Sequence, residues 1–361
     1  MRRFLCGAVA VFLAAALCFP GRAKAVSARS YLVLDAQTGR VLAEQNADQQ
    51  SLIASTTKIM TALVVCEQCN VLDRVRIPSQ AVGIEGSSMY LQAGEVLTVQ
   101  ELLYGLMLRS GNDAAVALAI YCGGTVEGFA QLMNDKARAL GLKNTHFVNP
   151  HGLDAPEHYS TARDLAVLSA YAMNNPIFAS TVGTKSVRIG ERSLTNHNKL
   201  LWRLAGANGV KTGYTMASGR ILVSGAERNG RQLIAVTIHA PDDWNDHCKL
   251  LEDGFARYAN HLIVSKGQCL GEVEVAAGEA GSVSLLAGES FSYALAEGER
   301  VTLELPGTGF VYAPVTEGAE AGFAHILVDG ADVGKIPLYY GQTVEQQKKE
   351  EKSFLEKLFG G

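Results

Sequence analysis

The tetrapeptide Ser55-Thr56-Thr57-Lys58 sets a hydroxyl and an amine three residues apart, where the apolar residues Ile59, Met60, Leu63 and Val64 begin to recur at helical spacing. On a helix that spacing puts both side chains on one face about one turn apart, so they can touch. A serine at a helix start is ordinarily a cap, and a capping box would carry Glu or Gln at the fourth position. Lysine stands there instead, a cation that the dipole of a first turn disfavours. A lysine held against a hydroxyl and withdrawn from water loses pKa; it can then accept the serine's proton and turn the serine into a nucleophile. On its own S-x-x-K is short and frequent, and it also reads as an ordinary helix start.

Two further motifs change the weight of the first. Ser110-Gly111-Asn112 lies between two helical stretches and offers a hydroxyl for proton relay and an amide for a substrate peptide. Lys211-Thr212-Gly213 lies on an expected strand, with Lys211 and Gly213 on one face and Thr212 on the other. The glycine leaves room for a substrate along the strand edge. Taken singly, these are a turn and a strand end. In this order, the three form the signature shared by class A β-lactamases and penicillin-binding proteins.

The chain resembles the low-molecular-weight penicillin-binding proteins that are D-alanyl-D-alanine carboxypeptidases, the peptidase S11 family. Supporting stretches are Gly86-Ser87-Ser88-Met89, Ala93-Gly94-Glu95, Thr145-His146-Phe147, Asn149-Pro150-His151-Gly152-Leu153-Asp154, His158-Tyr159-Ser160-Thr161-Ala162 and Asn196-His197-Asn198. The likeness runs from about residue 26 to 260, and more loosely beyond. It implies an α/β (α+β) serine β-lactamase/transpeptidase-like domain: a helical lobe against a helix-flanked antiparallel sheet, with a small all-β domain after it. It also implies the chemistry. Ser55 would attack the bond between the terminal D-alanines of a peptidoglycan stem peptide, and Lys58 would take its proton. Ser110 would relay that proton, and Asn112 would hold the substrate backbone. Lys211 and Thr212, beside Gly213, would receive the carboxylate, and the Ser55 and Tyr214 amides would form the oxyanion hole. β-Lactams would acylate the same serine. No cofactor or metal is implied, and His146, His151 and His158 are expected to make structural hydrogen bonds. Many relatives carry a carboxylate-binding arginine some thirty residues after K-T-G. Residues His239 to His247 here contain none, which leaves Arg220 as a substitute.

A β-lactamase is the nearest rival, but the E-x-x-L-N motif of class A enzymes is absent. A non-catalytic penicillin-binding sensor is the other alternative, disfavoured by the intact motif set. A nucleophile-elbow hydrolase is disfavoured, because G-x-S-x-G does not occur.

The elements that must carry these residues follow from periodicity. Ser30 to Glu44 reads as a hairpin around Thr38-Gly39-Arg40. Helical spacing covers Ser55 to Cys69, Val99 to Leu108, Ala114 to Tyr121 and Val126 to Leu140. Strands are expected at Ser186 to Ile189, Gly209 to Tyr214, Arg220 to Ala226 and Gln232 to His239, completing the hairpin's sheet. A helix from Asp246 to Asn260 would close on it. Short strands and Gly turns then make the all-β part. The expected division is a catalytic domain over 26–265, the β domain over 266–341 and a tail over 342–361. Phe354, Leu355, Leu358 and Phe359 in that tail form i,i+4 pairs, and either a solvated tail or a membrane-surface anchor fits them.

Residues 1–25 read as a signal peptide. Arg2 and Arg3 precede a sixteen-residue apolar run from Phe4 to Phe19, and Ala23-Lys24-Ala25 supplies a cleavage pattern. The run is shorter than the about 20 residues a spanning helix needs. Of 361 residues, 32 are basic and 36 acidic; removing the four basic residues of the leader leaves 28 against 36, or −8. Such a chain is a poor partner for nucleic acid. An exported location is expected, on the outer face of the cytoplasmic membrane or in the wall. Of seven cysteines, Cys66, Cys69, Cys122, Cys248 and Cys269 would remain, an odd number. Cys66 and Cys69 could pair with each other or with Cys122.

Overall fold

The computed structural model describes residues 26–348, apart from residue 308. The leader and the apolar residues of the tail lie outside the described residues.

Strands β1 (Ser30–Asp35) and β2 (Val41–Gln45) form the opening hairpin. A 3-10 turn at Ala54–Thr57 leads into α1 (Lys58–Gln68). A two-stranded pair, β3 (Arg74–Arg76) and β4 (Val96–Thr98), precedes α2 (Val99–Leu108), α3 (Asn112–Gly123) and α4 (Val126–Ala139). Helices α5 (Ala162–Met173) and α6 (Pro176–Gly183) follow, then the hairpin of β5 (Ser186–Ile189) and β6 (Arg192–Thr195) and the single turn α7 (Leu200–Arg203). Strands β7 (Ala207–Thr215), β8 (Gly219–Arg228) and β9 (Arg231–Ile238) complete a five-stranded antiparallel sheet in the order β2-β1-β9-β8-β7. Helix α8 (Asp243–Arg257) closes it.

The sheet is buried on both faces, and strand alternation assigns the sides. Leu32, Leu34, Ile221, Val223, Ile234 and Val236 face the helical lobe, where α1 to α6 pack. Val33, Leu222, Leu233 and Ala235 face α7 and α8. Two expectations need correction. Ser186 to Ile189 pairs only with β6 and stays outside the main sheet, because β7 forms that sheet's edge. The closing helix starts earlier and ends at Arg257, giving way to β10 (Tyr258–Val264).

Strand β10 pairs with β13 (Phe291–Ala296), so the chain enters the β domain before residue 265. Val264 is buried in the second core with Val283, Ile326, Ile336 and Leu338. That core lies within a six-stranded sheet containing β11 (Cys269–Ala276), β12 (Ser282–Ala287), β14 (Val301–Glu304), β15 (Phe310–Tyr312), β16 (Glu320–Val328) and β17 (Ala331–Tyr340). The domain also runs past 341. Val344 is buried and bridges Val315, with N···O distances of 2.9 and 2.8 Å, so residues 342–348 complete the β domain rather than begin a helix. Arg40 ties the two parts together: it pairs with Glu299 and stacks 4.8 Å from the Tyr258 ring.

Candidate active site

Ser55 sits on the 3-10 turn and Lys58 is the first residue of α1. Ala54 takes φ +44°, an uncommon conformation for a residue with a Cβ. The turn is held from beneath by the 149–152 segment. Gly152 has φ +88°, and a Cβ there would come 1.9 Å from the Ala54 carbonyl oxygen, so only glycine permits this approach. Thr61 Oγ1 donates to Pro150 O at 2.6 Å. His158 Nδ1 accepts from Val148 N at 3.1 Å, so its Nε2 carries the hydrogen and donates to Thr57 Oγ1 at 2.8 Å. Burial pushes the pKa of His158 and of His151 down to about 4. His146 Nδ1 lies 2.6 Å from Glu157 O.

Lys58 is 0% exposed, and its Nζ has three neighbours: Ser55 Oγ at 3.0 Å, Asn112 Oδ1 at 2.7 Å and His151 O at 2.6 Å. Burial, reinforced by the charge of Lys211, holds its pKa well below the ordinary lysine value. A neutral amine has two N–H groups and one lone pair. In the neutral form, with the two carbonyl oxygens taking the N–H groups, the lone pair would face the Ser55 hydroxyl.

Asn112 opens α3 and is 4% exposed. Its Nδ2 donates to Glu85 O at 2.6 Å, which fixes Oδ1 toward Lys58. The side chain expected to hold a substrate backbone is therefore committed within the protein, to Lys58 and to Glu85. Ser110, at φ +60° in the α2–α3 loop, has a buried Oγ with no hydrogen-bond partner among the described residues. Beside it, Asp113 accepts from Ser88 Oγ at 2.6 Å and from the amides of Met89 and Leu91, pinning the segment that presents Ser87.

The third motif lies on β7, whose outer edge is unpaired in the sheet. Gly213 packs on the 3-10 turn: a Cβ there would stand 3.2 Å from Ile53 O and 3.3 Å from Ser55 N. The glycine thus admits the backbone of Ser55, where the sequence had pointed to room for substrate. Lys211 is 1% exposed, donates to Thr212 O at 2.8 Å and has its pKa lowered to about 7 by burial.

A cavity of about 290 Å³ opens between these elements, lined by Ser55, Ser87, Ser110, Thr212, Gly213 and Tyr214, with His197, Arg220, Asp243 and Trp244 around them. Lys211 lies behind this surface. The cation on the wall is Arg220, whose guanidinium pairs with Asp243 at 2.8 and 2.9 Å and lies 5.8 Å from the Trp244 ring. Asp243 and Trp244 went unrecognised in the sequence because they sit in the stretch that departs from the family pattern. The segments at Glu85, which holds Asn112, and at His151, which holds Lys58, act through backbone carbonyls, which no residue type announces.

The family profile described as D-alanyl-D-alanine carboxypeptidase matches residues 19–242, and that of the penicillin-binding protein 5 C-terminal domain matches 258–346. The D-alanyl-D-alanine carboxypeptidase DacF of Bacillus subtilis is 32% identical over 327 residues, covering 86% of this chain and 84% of the relative. The D-alanyl-D-alanine carboxypeptidase DacC of Escherichia coli is 33% identical, covering 96% of this chain and 92% of its own. The crystal structure of penicillin-binding protein 5 from Haemophilus influenzae superimposes with a TM-score of 0.79 at 31% identity, over 89% of this chain and 98% of that one. With a Ser-x-x-Lys pair on a helix start, an edge strand against it and both domains matched along their length, the chain belongs to the D-alanyl-D-alanine carboxypeptidase family of penicillin-binding proteins.

Proposed function

We propose that Ser55 is the nucleophile that attacks the peptide bond between the terminal D-alanines of a peptidoglycan stem peptide. Neutral Lys58 takes the hydroxyl proton as the Ser55 Oγ–carbonyl bond forms. The observation that carries this reading is the set of three contacts at Lys58 Nζ, in which two carbonyls use the N–H groups and Ser55 faces the lone pair. Ser110, with its unpartnered hydroxyl on the cavity, passes the proton to the departing D-alanine amine. The amides of Ser55 and Tyr214 receive the developing oxyanion, donors fixed before reaction and aimed at charge that appears in the transition state. Water then hydrolyses the ester. A β-lactam acylates the same serine and leaves slowly.

In this reading the terminal carboxylate of the substrate meets Thr212 and Arg220 on the cavity wall. Lys211 contributes its charge from behind the strand. Asn112 positions Lys58 rather than gripping the peptide. Action on peptidoglycan requires the chain to work outside the cytoplasm, in keeping with a leader at residues 1–25 and with the tail residues Phe354, Leu355, Leu358 and Phe359 resting on the membrane surface. Among the described residues no helix is long and apolar enough to cross a membrane.

The test uses a diacylated D-Ala-D-Ala peptide and a fluorescent penicillin. D-alanine release and labelling of one site are expected, with both lost in Ser55→Ala. Labelling of Ser55→Ala at the wild-type rate would remove Ser55 as nucleophile. Labelling without D-alanine release would favour a sensor, and rapid penicillin turnover a β-lactamase.

A further inference from the structure

Three of the five cysteines outside the leader region gather at one end of the helical lobe. Cys66 is in the last turn of α1, Cys69 caps that helix, and Cys122 is in the last turn of α3. All three are partly buried against the same core. Cys269 is exposed in the β domain, and Cys248 lies on α8 beside Arg203 and Glu252, so neither belongs to this group.

The Cys69 and Cys122 thiols are neighbours, and each is the leading influence on the other's ionisation. Cys69 has left the helix: its φ of −120° and ψ of 147° are extended. The two helix ends are also joined next to the cysteines, where Tyr121 Oη donates to Asp73 Oδ2 at 2.9 Å. Cys66 remains on the helix, where burial and the neighbouring Glu67 carboxylate push its thiol up to about 12. It keeps its proton.

We propose that Cys69 and Cys122 are the disulfide site of this protein, closed when the chain meets a disulfide oxidant of the glutathione or thiol-oxidoreductase class. The Cys122 thiol, whose pKa is lowered by the neighbouring Cys69, attacks the oxidant's S–S bond and expels one thiol as a mixed disulfide forms. Cys69 then gives up its proton and displaces the second thiol. Two protons and two electrons pass from the cysteine pair to the oxidant, which leaves as two thiols. Both cysteines are partly exposed, so the oxidant can reach them. The sulfurs must close to about 2.05 Å.

The bond has a structural meaning that a Cys66–Cys69 bridge would lack. Helix α1 begins at Lys58 and α3 at Asn112, and those residues join the two helices through a 2.7 Å hydrogen bond at the site. A Cys69–Cys122 bond fastens the same two helices at their other ends. It closes a loop of some fifty residues containing Ser110, and constrains the unfolded chain accordingly. The site itself lies about 16 Å away along α1, so its geometry does not depend on the bond.

The experiment incubates the full chain with oxidised glutathione, alkylates it under denaturing conditions and digests it with trypsin and a glutamate-specific protease. Cleavage after Glu67 separates Cys66 from Cys69, so mass spectrometry assigns the link directly. The expected result is one cross-linked peptide pair carrying Cys69 and Cys122. It should persist in Cys66→Ser and vanish in Cys69→Ser and Cys122→Ser. The oxidised protein should melt about 5–10 °C above its reduced form. Seven alkylated thiols after oxidation, or a wild-type link involving Cys66, Cys248 or Cys269, would overturn the proposal. Because the wild-type digest decides it, failure of a variant to fold does not matter, and the outcome is independent of whether Ser55 proves to be the nucleophile.

Discussion

Gly213 brings strand β7 into contact with the backbone of Ser55, so closely that a Cβ at 213 would stand 3.3 Å from the Ser55 nitrogen and 3.2 Å from Ile53 O. The contact fixes the distance between the nucleophile's turn and the edge strand. Gly213→Ala forces those groups apart by a few tenths of an ångström without opening the core. A shift of that size at a reacting centre is expected to slow acylation about tenfold. The check is the second-order rate of fluorescent penicillin labelling, measured beside thermal melting. A variant that labels at the wild-type rate would show that β7 and the turn tolerate the separation.

Lys58 and Lys211 define the pH response, with opposite signs. Acylation needs Lys58 neutral, and burial holds its pKa well below the ordinary value, so the rate rises on the acid side as that proton leaves. Lys211, lowered to about 7, loses its charge as pH rises through neutrality, and the wall behind Thr212 then attracts a carboxylate less well. For a D-Ala-D-Ala peptide, kcat/KM should therefore fall above about pH 7, through a rise in KM. Arg220 also lines the wall, so the fall should be limited to about tenfold, the equivalent of one pKa unit of interaction. In Lys211→Arg the alkaline limb should disappear. A wild-type profile flat from pH 6 to 9 would contradict this assignment.

Arg220 is a cation on the cavity wall, and its pairing with Asp243 bears on specificity. Charge-assisted hydrogen bonds contribute about 1.5–3 kcal/mol each. Arg220→Gln should thus raise KM for the peptide by about ten- to a hundredfold and leave kcat within a few fold. Asp243→Asn frees the guanidinium from its internal carboxylate, and a smaller effect on KM is expected. Initial rates over a range of peptide concentration separate the two constants. A loss confined to kcat would place Arg220 in the chemistry instead of in carboxylate recognition.

How far these residues could be read from sequence depends on what each contributes. Ser55, Lys58, Ser110 and Lys211 announce themselves by side-chain type and spacing. The helices that carry them have clean apolar periodicity, and Val99 to Leu108 was legible to the residue. Asn112 was recognised, but its partners within the protein were not, because Glu85 O and Lys58 Nζ are brought together from distant segments. Gly213 was misread for a similar reason: the space beside a strand depends on the segment packed there. His151 acts through its carbonyl, which any residue would supply. The β5–β6 hairpin shows the limit for topology, since strand pattern is the same whether or not a strand joins the main sheet. The first strand of the β domain, Tyr258–Val264, was hidden because its apolar residues continue the spacing of α8.

The position of Asn112 yields a prediction that separates a positioning role from a substrate contact. Its Oδ1 accepts from Lys58 at 2.7 Å while its Nδ2 is fixed on Glu85 O at 2.6 Å. Asn112→Asp keeps the shape and the oxygen facing Lys58, but adds a negative charge beside the buried amine. An opposite charge at that distance favours the ammonium form, so the Lys58 pKa rises and less neutral amine is present at a given pH. Labelling by penicillin should then be slowed most at low pH and recover as pH increases, with the acid limb displaced upward by about one unit or more. If Asn112 instead served only to hold the substrate backbone, Asn112→Asp would weaken binding equally across the pH range and leave the acid limb where it is in the wild type. The measurement is the labelling rate of both proteins from pH 5 to 10, and an unshifted acid limb would remove Asn112 as the group that keeps Lys58 neutral and aimed at Ser55.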